Sequence, residues 1–161
     1  MSFTTEIELE RTFEVNCSFD RVFNLLADVP RSVSHFPNVD ELVDLGDGAY
    51  RWEMEKIGVD KYSIQTIYAC TYYNDYDKGR VWWEPIEGEG NGLVEGSWQI
   101  NALDDEQTEI HFYTKGELEI PLPFFVKMLV APIVKTEFSN MVDTYMENLE
   151  ETLNSSHEPE E

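Results

Sequence analysis

The residue types that most often carry out reactions are sparse in this sequence and poorly spaced for the task. His35, His111 and His157 fall in a turn, on the outward side of an expected strand and close to the C-terminus. A metal site needs ligands a few residues apart or brought to one face; these positions share no such spacing, so no metal is expected. Cys17 and Cys70 form no C-x-x-C pair, and neither lies near a histidine in sequence. No G-x-S-x-G nucleophile turn occurs. The run Gly88-Glu-Gly-Asn-Gly92 lacks G-K-[ST] and does not lead into a helix, which removes a phosphate loop. Glu53 and Glu55 are a carboxylate pair of the kind acid–base catalysis uses, but their strand parity points to solvent. The polar residues best placed to face an apolar interior are Arg11, Tyr68 and Tyr145. Arg11 lies on the apolar parity of its strand. It is either a strand-end bulge or rim-snorkelling guanidinium, or a cavity-facing cation that holds a ligand oxygen. No catalytic set and no cofactor are expected.

Hydrophobic periodicity shows which elements must position these residues. From Pro121 to Leu153, apolar residues recur at Val126, Leu129, Val130, Ile133, Val134, Phe138, Met141, Val142, Tyr145, Met146, Leu149 and Leu153. Steps of three and four place them on one stripe of a helix about 45 Å long. Pro132 is expected to kink or split it near Ala131. Upstream, Glu6 to Asn16 alternates as a half-buried strand. Ser18 caps an expected helix over Phe19–Asp28, and a second short helix or turn covers Arg31–Phe36. Strands are then expected over Val39–Leu45, Ala49–Ile57, Tyr62–Tyr73, Arg80–Glu87, Leu93–Ala102 and Thr108–Ile120. Tight turns at Gly46-Asp47-Gly48 and Asp60-Lys61 imply antiparallel pairing. One wet and one apolar sheet face imply that the long helix lies across the apolar one.

A chain of 161 residues with 42% hydrophobic content fits one α+β domain over 1–153, followed by an acidic disordered tail over 154–161. The 33 acidic against 11 basic residues give a net charge of −22. A field of that sign repels nucleic acid and anionic membrane surfaces. The acids are spread along the chain, which reads as a solubilising surface; an acidic face for a basic partner is the sharper alternative. The N-terminus lacks the basic start and apolar run of a signal peptide. Cys17 and Cys70 are the only cysteines, and buried thiols in a reducing cytoplasm are expected over a disulfide between them.

Several segments together resemble the START-like, or SRPBCC, superfamily with its helix-grip fold, in the polyketide cyclase/dehydrase or coenzyme Q-binding branch. They are Leu26-Ala27-Asp28-Val29-Pro30, His35-Phe36-Pro37-Asn38-Val39, Val94-Glu-Gly-Ser-Trp98 before an acidic turn and Thr108, and the proline-bounded entry to the last helix. The resemblance implies a curved antiparallel sheet of about seven strands, two short helices after strand 1, and a long C-terminal helix over a cavity. The expected lining is Arg11, Trp52, Met54, Tyr68, Trp83, Trp98, Phe112, Phe138, Met141 and Tyr145, or else these residues simply fill the core. Aromatic and methionine side chains suit a flat or flexible apolar ligand. Binding or transport of a lipid-, polyketide- or quinone-like molecule is therefore expected. A polyketide cyclase or dehydrase is the alternative, and an acidic protein-interaction module the second alternative.

Overall fold

The computed structural model describes residues 2–59 and 62–155. The expected turn at Asp60-Lys61 and all of the expected tail beyond residue 155 lie outside the described residues. In chain order the elements are β1 (Phe3–Val15), α1 (Phe19–Ala27), α2 (Val29–Val33), β2 (Val39–Gly46), β3 (Ala49–Met54), β4 (Ile57–Val59), β5 (Tyr62–Ile64), β6 (Ile67–Asp75), β7 (Arg80–Ile86), β8 (Gly92–Asp104), β9 (Gln107–Ile120) and α3 (Lys127–Asn154). Seven strands form one antiparallel sheet in the order β1-β9-β8-β7-β6-β3-β2, and β4 and β5 form a separate ribbon. The architecture is α+β.

Local chemistry explains most boundaries. Ser18 accepts a hydrogen bond from the Arg21 amide at 3.3 Å and starts α1. Asp28 caps α2 in the same way through the Arg31 amide, and Pro30 sits in its first turn. That cap starts α2 two residues before the expected Arg31 and ends it at Val33. Asp47 and Gly48 both take positive φ, 56° and 81°, which suits a two-residue hairpin between β2 and β3.

Two expected strands are broken. Ala49–Ile57 stops at Met54, and Tyr62–Tyr73 divides into β5 and β6. At the break the Met54 amide donates to the Thr66 carbonyl at 3.0 Å, and the Glu55 amide donates to the Asn38 carbonyl at 2.8 Å. These bonds replace the sheet ladder and let β4 and β5 leave the main sheet as their own ribbon.

The long helix begins later than expected. Phe124–Val126 form a single 3-10 turn after Pro121 and Pro123, and α3 then runs 28 residues, about 42 Å. It continues through Pro132 as one element rather than splitting. Pro132 and Met128, whose carbonyl the proline cannot serve, are both on the exposed side, where water can satisfy that carbonyl. Leu129 is also a correction: it is 52% exposed, beside Phe125 and Met128, and is not on the buried stripe.

The inward sheet face and α3 enclose two apolar clusters. The larger joins α1, α2 and the C-terminal half of α3 to the sheet centre; the smaller joins the ends of β1 and β9 and Ile64 to Val130, Ala131 and Val134. Phe138 packs against both. Met141 is 7% exposed and belongs to the larger cluster. Met141→Ala is expected to lower unfolding stability by about 2–5 kcal/mol, measured by denaturant titration. A loss below about 1 kcal/mol would place the side chain outside the core.

Candidate ligand-binding cavity

Antiparallel register carries the inward residues of neighbouring strands into rows. One row runs Arg11, Phe112, Trp98, Val81, and the next runs Leu9, Thr114, Gly96, Trp83, Tyr72. Trp52 pairs with Tyr68 at the far side. Gly96 is what allows the second row. A Cβ there would lie 2.4 Å from Trp83 Cζ2 and 2.4 Å from the Tyr113 carbonyl oxygen. With no side chain at Gly96, the Trp83 indole lies down over β8.

The inward aromatics close into a circuit. Phe36 contacts Tyr145 at a centroid distance of 4.9 Å, Tyr145 contacts Trp98 at 5.8 Å, and Trp98 contacts Phe112 at 4.7 Å. Phe112 contacts Trp83 at 6.0 Å, and Trp83 contacts Tyr72 at 5.7 Å. Trp52 Nε1 donates to the Tyr72 hydroxyl at 2.8 Å, and Phe36 packs edge-on against Trp52 at 5.2 Å. All seven rings line one cavity under α3, of about 90 Å³.

Of the ten residues expected at this site, Trp52, Tyr68, Trp83, Trp98, Phe112, Phe138 and Tyr145 line the cavity, and Arg11, Met54 and Met141 do not. On α3 the cavity touches Phe138, Val142 and Tyr145, a stripe that leaves Met141 to one side. Met54 is buried where β3 ends, next to the break in the sheet. Arg11 keeps its inward register without a bulge, since β1 pairs with β9 unbroken along its length. Its side chain turns along α3 instead of into the cavity. Nε donates to Asp143 Oδ1 at 2.7 Å, and Nη2 donates to Ser139 Oγ at 3.0 Å. Lining residues absent from the expected set include Phe36, Tyr72, Ser32 and Thr66. Tyr72 was within reach of the strand parity that puts Tyr68 inside; the other three lie on α2, just after it or at the β5–β6 break, where no periodicity applies.

The polar atoms inside are neutral. Ser32 and Tyr145 hydroxyls share a hydrogen bond of 2.6 Å, and Thr114 donates to the Glu95 carbonyl at 3.1 Å. Burial raises the phenols of Tyr68, Tyr72 and Tyr145 above their ordinary value, so each stays protonated at neutral pH. Burial also pushes the Cys70 thiol up to about 12; both cysteines are buried, and neither is in a disulfide. The one charged lining residue among the described residues is Glu117, which is exposed. His35 and His111 stand outside the cavity: His35 Nε2 lies 2.9 Å from Thr152 Oγ1, and His111 Nε2 lies 2.9 Å from Glu10. Glu53 and Glu55 face Arg51 and Asn38. Among the described residues no three His, Cys, Asp or Glu converge as metal ligands, and no helix is long and apolar enough to cross a membrane.

The Arg11–Asp143 pair is partly exposed on both sides, 27% and 52%. Such pairs contribute about 0–1 kcal/mol. Arg11→Leu is therefore expected to change stability by less than about 1 kcal/mol and to leave the affinity for a neutral apolar ligand unchanged. Loss of that affinity, read by fluorescence titration, would return Arg11 to the site.

No sequence-family model matches the chain, and no curated protein matches it. Solved structures do. A START superfamily protein from Mycobacterium smegmatis is 16% identical, with 91% of this chain and 96% of that chain covered and a TM-score of 0.63. A conserved protein from Geobacillus kaustophilus is 12% identical over 91% and 95%, with a TM-score of 0.65. The Zhui aromatase/cyclase from Streptomyces sp. R1128 is 18% identical over 89% and 94%, with a TM-score of 0.54. Taken with the seven-stranded sheet and its covering C-terminal helix, these likenesses establish that the chain has the START-like, helix-grip fold.

Proposed function

We propose that the chain binds a small, neutral, largely apolar molecule in the cavity between the sheet and α3. The observation that carries this reading is the composition of the lining: seven linked aromatic rings, and inside them only uncharged hydroxyls. A buried anion or cation without a partner is strongly unfavourable, and the interior lining offers neither a cation for a carboxylate nor a carboxylate for an ammonium group.

The space of about 90 Å³ sets the size problem. A cavity of about 150 Å³ admits benzene, and sites for drug-sized ligands hold about 300–1,000 Å³. Even a single-ring ligand must therefore displace side chains. Phe36 and Phe138 are the half-buried lining aromatics on and around the helices, and their rotation enlarges the space without breaking the sheet.

A cyclase-type reaction is the second reading, favoured by the likeness to the Zhui aromatase/cyclase and to the di-domain ARO/CYC StfQ from the steffimycin biosynthetic pathway. Acid–base catalysis at neutral pH works best with a group that titrates there. The buried tyrosines hold their protons well above that range, which supports binding over proton transfer. Neither buried cysteine is in a disulfide, which supports a cytoplasmic location.

Two dyes with one ring skeleton test the reading. N-phenyl-1-naphthylamine is neutral, and 8-anilino-1-naphthalenesulfonate adds a sulfonate. The neutral dye is expected to saturate at one per chain with a fluorescence rise, and the sulfonate to bind at least about tenfold more weakly. No saturable binding of the neutral dye, or equal affinity for both, would contradict the proposal.

A further inference from the structure

We infer that the hydroxyls of Thr66 and Tyr68 form a neutral two-donor anchor for a carbonyl or hydroxyl oxygen on an otherwise apolar ligand. This rests on the binding reading above and adds the ligand's polar group and the residues that hold it.

The inference comes from accounting for every hydroxyl in the lining. Ser32 and Tyr145 satisfy each other, Tyr72 accepts from the Trp52 indole, and Thr114 donates to a backbone carbonyl. Thr66 and Tyr68 remain. Thr66 is 4% exposed, and its Oγ1 is buried with no hydrogen-bond partner. A buried hydroxyl left unpaired destabilises the fold, and native interiors contain few of them. Tyr68 is 7% exposed and stacks on Trp52 at 5.4 Å. Burial raises its phenol above the ordinary value, so it remains a neutral donor. The two residues stand two positions apart in the chain, and both line the cavity. Thr66 lies just before β6 and Tyr68 within it, so their Cα atoms are at most about 7 Å apart, and rotation of the two side chains can turn both hydroxyls toward one small ligand.

The backbone beneath Thr66 is held firmly at the break in the sheet. Asn91 Oδ1 accepts from the Ile67 amide at 2.8 Å, and its Nδ2 donates to the carbonyls of Gln65 at 3.0 Å and Glu119 at 3.1 Å. The Thr66 carbonyl accepts from the Met54 amide. With the main chain fixed, the remaining freedom of Thr66 is rotation about Cα–Cβ, which exchanges methyl and hydroxyl. The side chain can thus present Oγ1 to an oxygenated ligand without moving its strand. A donor on a fixed backbone is preorganised, which limits the ordering cost of binding. Both groups donate without carrying charge, so they suit a ketone, ester or alcohol oxygen.

Indane and 1-indanone differ by one carbonyl and test the assignment by calorimetric titration against wild type, Thr66→Val and Tyr68→Phe. Each substitution is expected to weaken 1-indanone by about 3–10-fold and to leave indane within about twofold. Thr66→Val should keep or raise the melting temperature, because it removes an unpaired hydroxyl. Unchanged 1-indanone affinity, or an equal loss for both compounds, would overturn the anchor while leaving the cavity reading intact. Failure of wild type to bind either compound would overturn both.

Discussion

The structure depends on one constraint: the inward face of a seven-stranded sheet carries a dense set of large aromatic side chains, and essentially one long helix must cover it. The strands are antiparallel and their alternation puts acids outside and apolar residues inside. α3 meets that face with Val134, Phe138, Val142, Tyr145 and Leu149. Three indoles and two phenols at neighbouring inward positions, Trp52, Trp83, Trp98, Tyr68 and Tyr72, need room beyond what a regular pleat leaves. Gly96 supplies it by removing a side chain beneath Trp83. The helices supply Phe36 and Tyr145, which connect the two ends of the aromatic row. What is left is a small space bounded by rings rather than a solid aliphatic core.

The same arrangement separates charge from the cavity. The chain carries a net charge of −22, and among the described residues the cavity lining is uncharged apart from exposed Glu117. An anionic ligand is opposed both by the long-range field and by the loss of its hydration inside. A cation is attracted to the surface but finds no buried carboxylate to pair with. Neutral molecules are the class that meets neither penalty. The Arg11–Asp143 contact belongs to this outer layer: the guanidinium lies inward by register and reaches a half-exposed carboxylate on α3.

Much of the fold was legible because it follows from period and punctuation. The two-residue alternation of β1, β8 and β9, the Ser18 cap and the long apolar stripe of α3 are local signals; the strands and the cap appear where the sequence places them, and the stripe does so beyond its first turn, where Leu129 is exposed. The break between β5 and β6 was not legible. It is made by Asn91, 26 residues from Gln65, bonding across to it, and no local pattern announces a distant side chain that substitutes for a sheet ladder. Thr66 was missed for the same reason. Arg11 was ambiguous because parity gives a direction for Cβ and not for a guanidinium four bonds further out. Met141 shows the limit of a helical stripe: it is wider than the cavity, so residues at its edge pack beside the space and not into it.

The central claim is that the indoles of Trp52, Trp83 and Trp98 surround a space that a neutral apolar molecule enters. Trp82 provides a control within the same chain, since it stacks on Tyr73 and lies under Arg80, outside the cavity. The most direct measurement follows the four indole N–H resonances of ¹⁵N-labelled protein during titration with naphthalene. The account predicts saturable shifts for Trp52, Trp83 and Trp98 and a stationary Trp82. Shifts largest at Trp82, or no saturable shift at any indole, would contradict it.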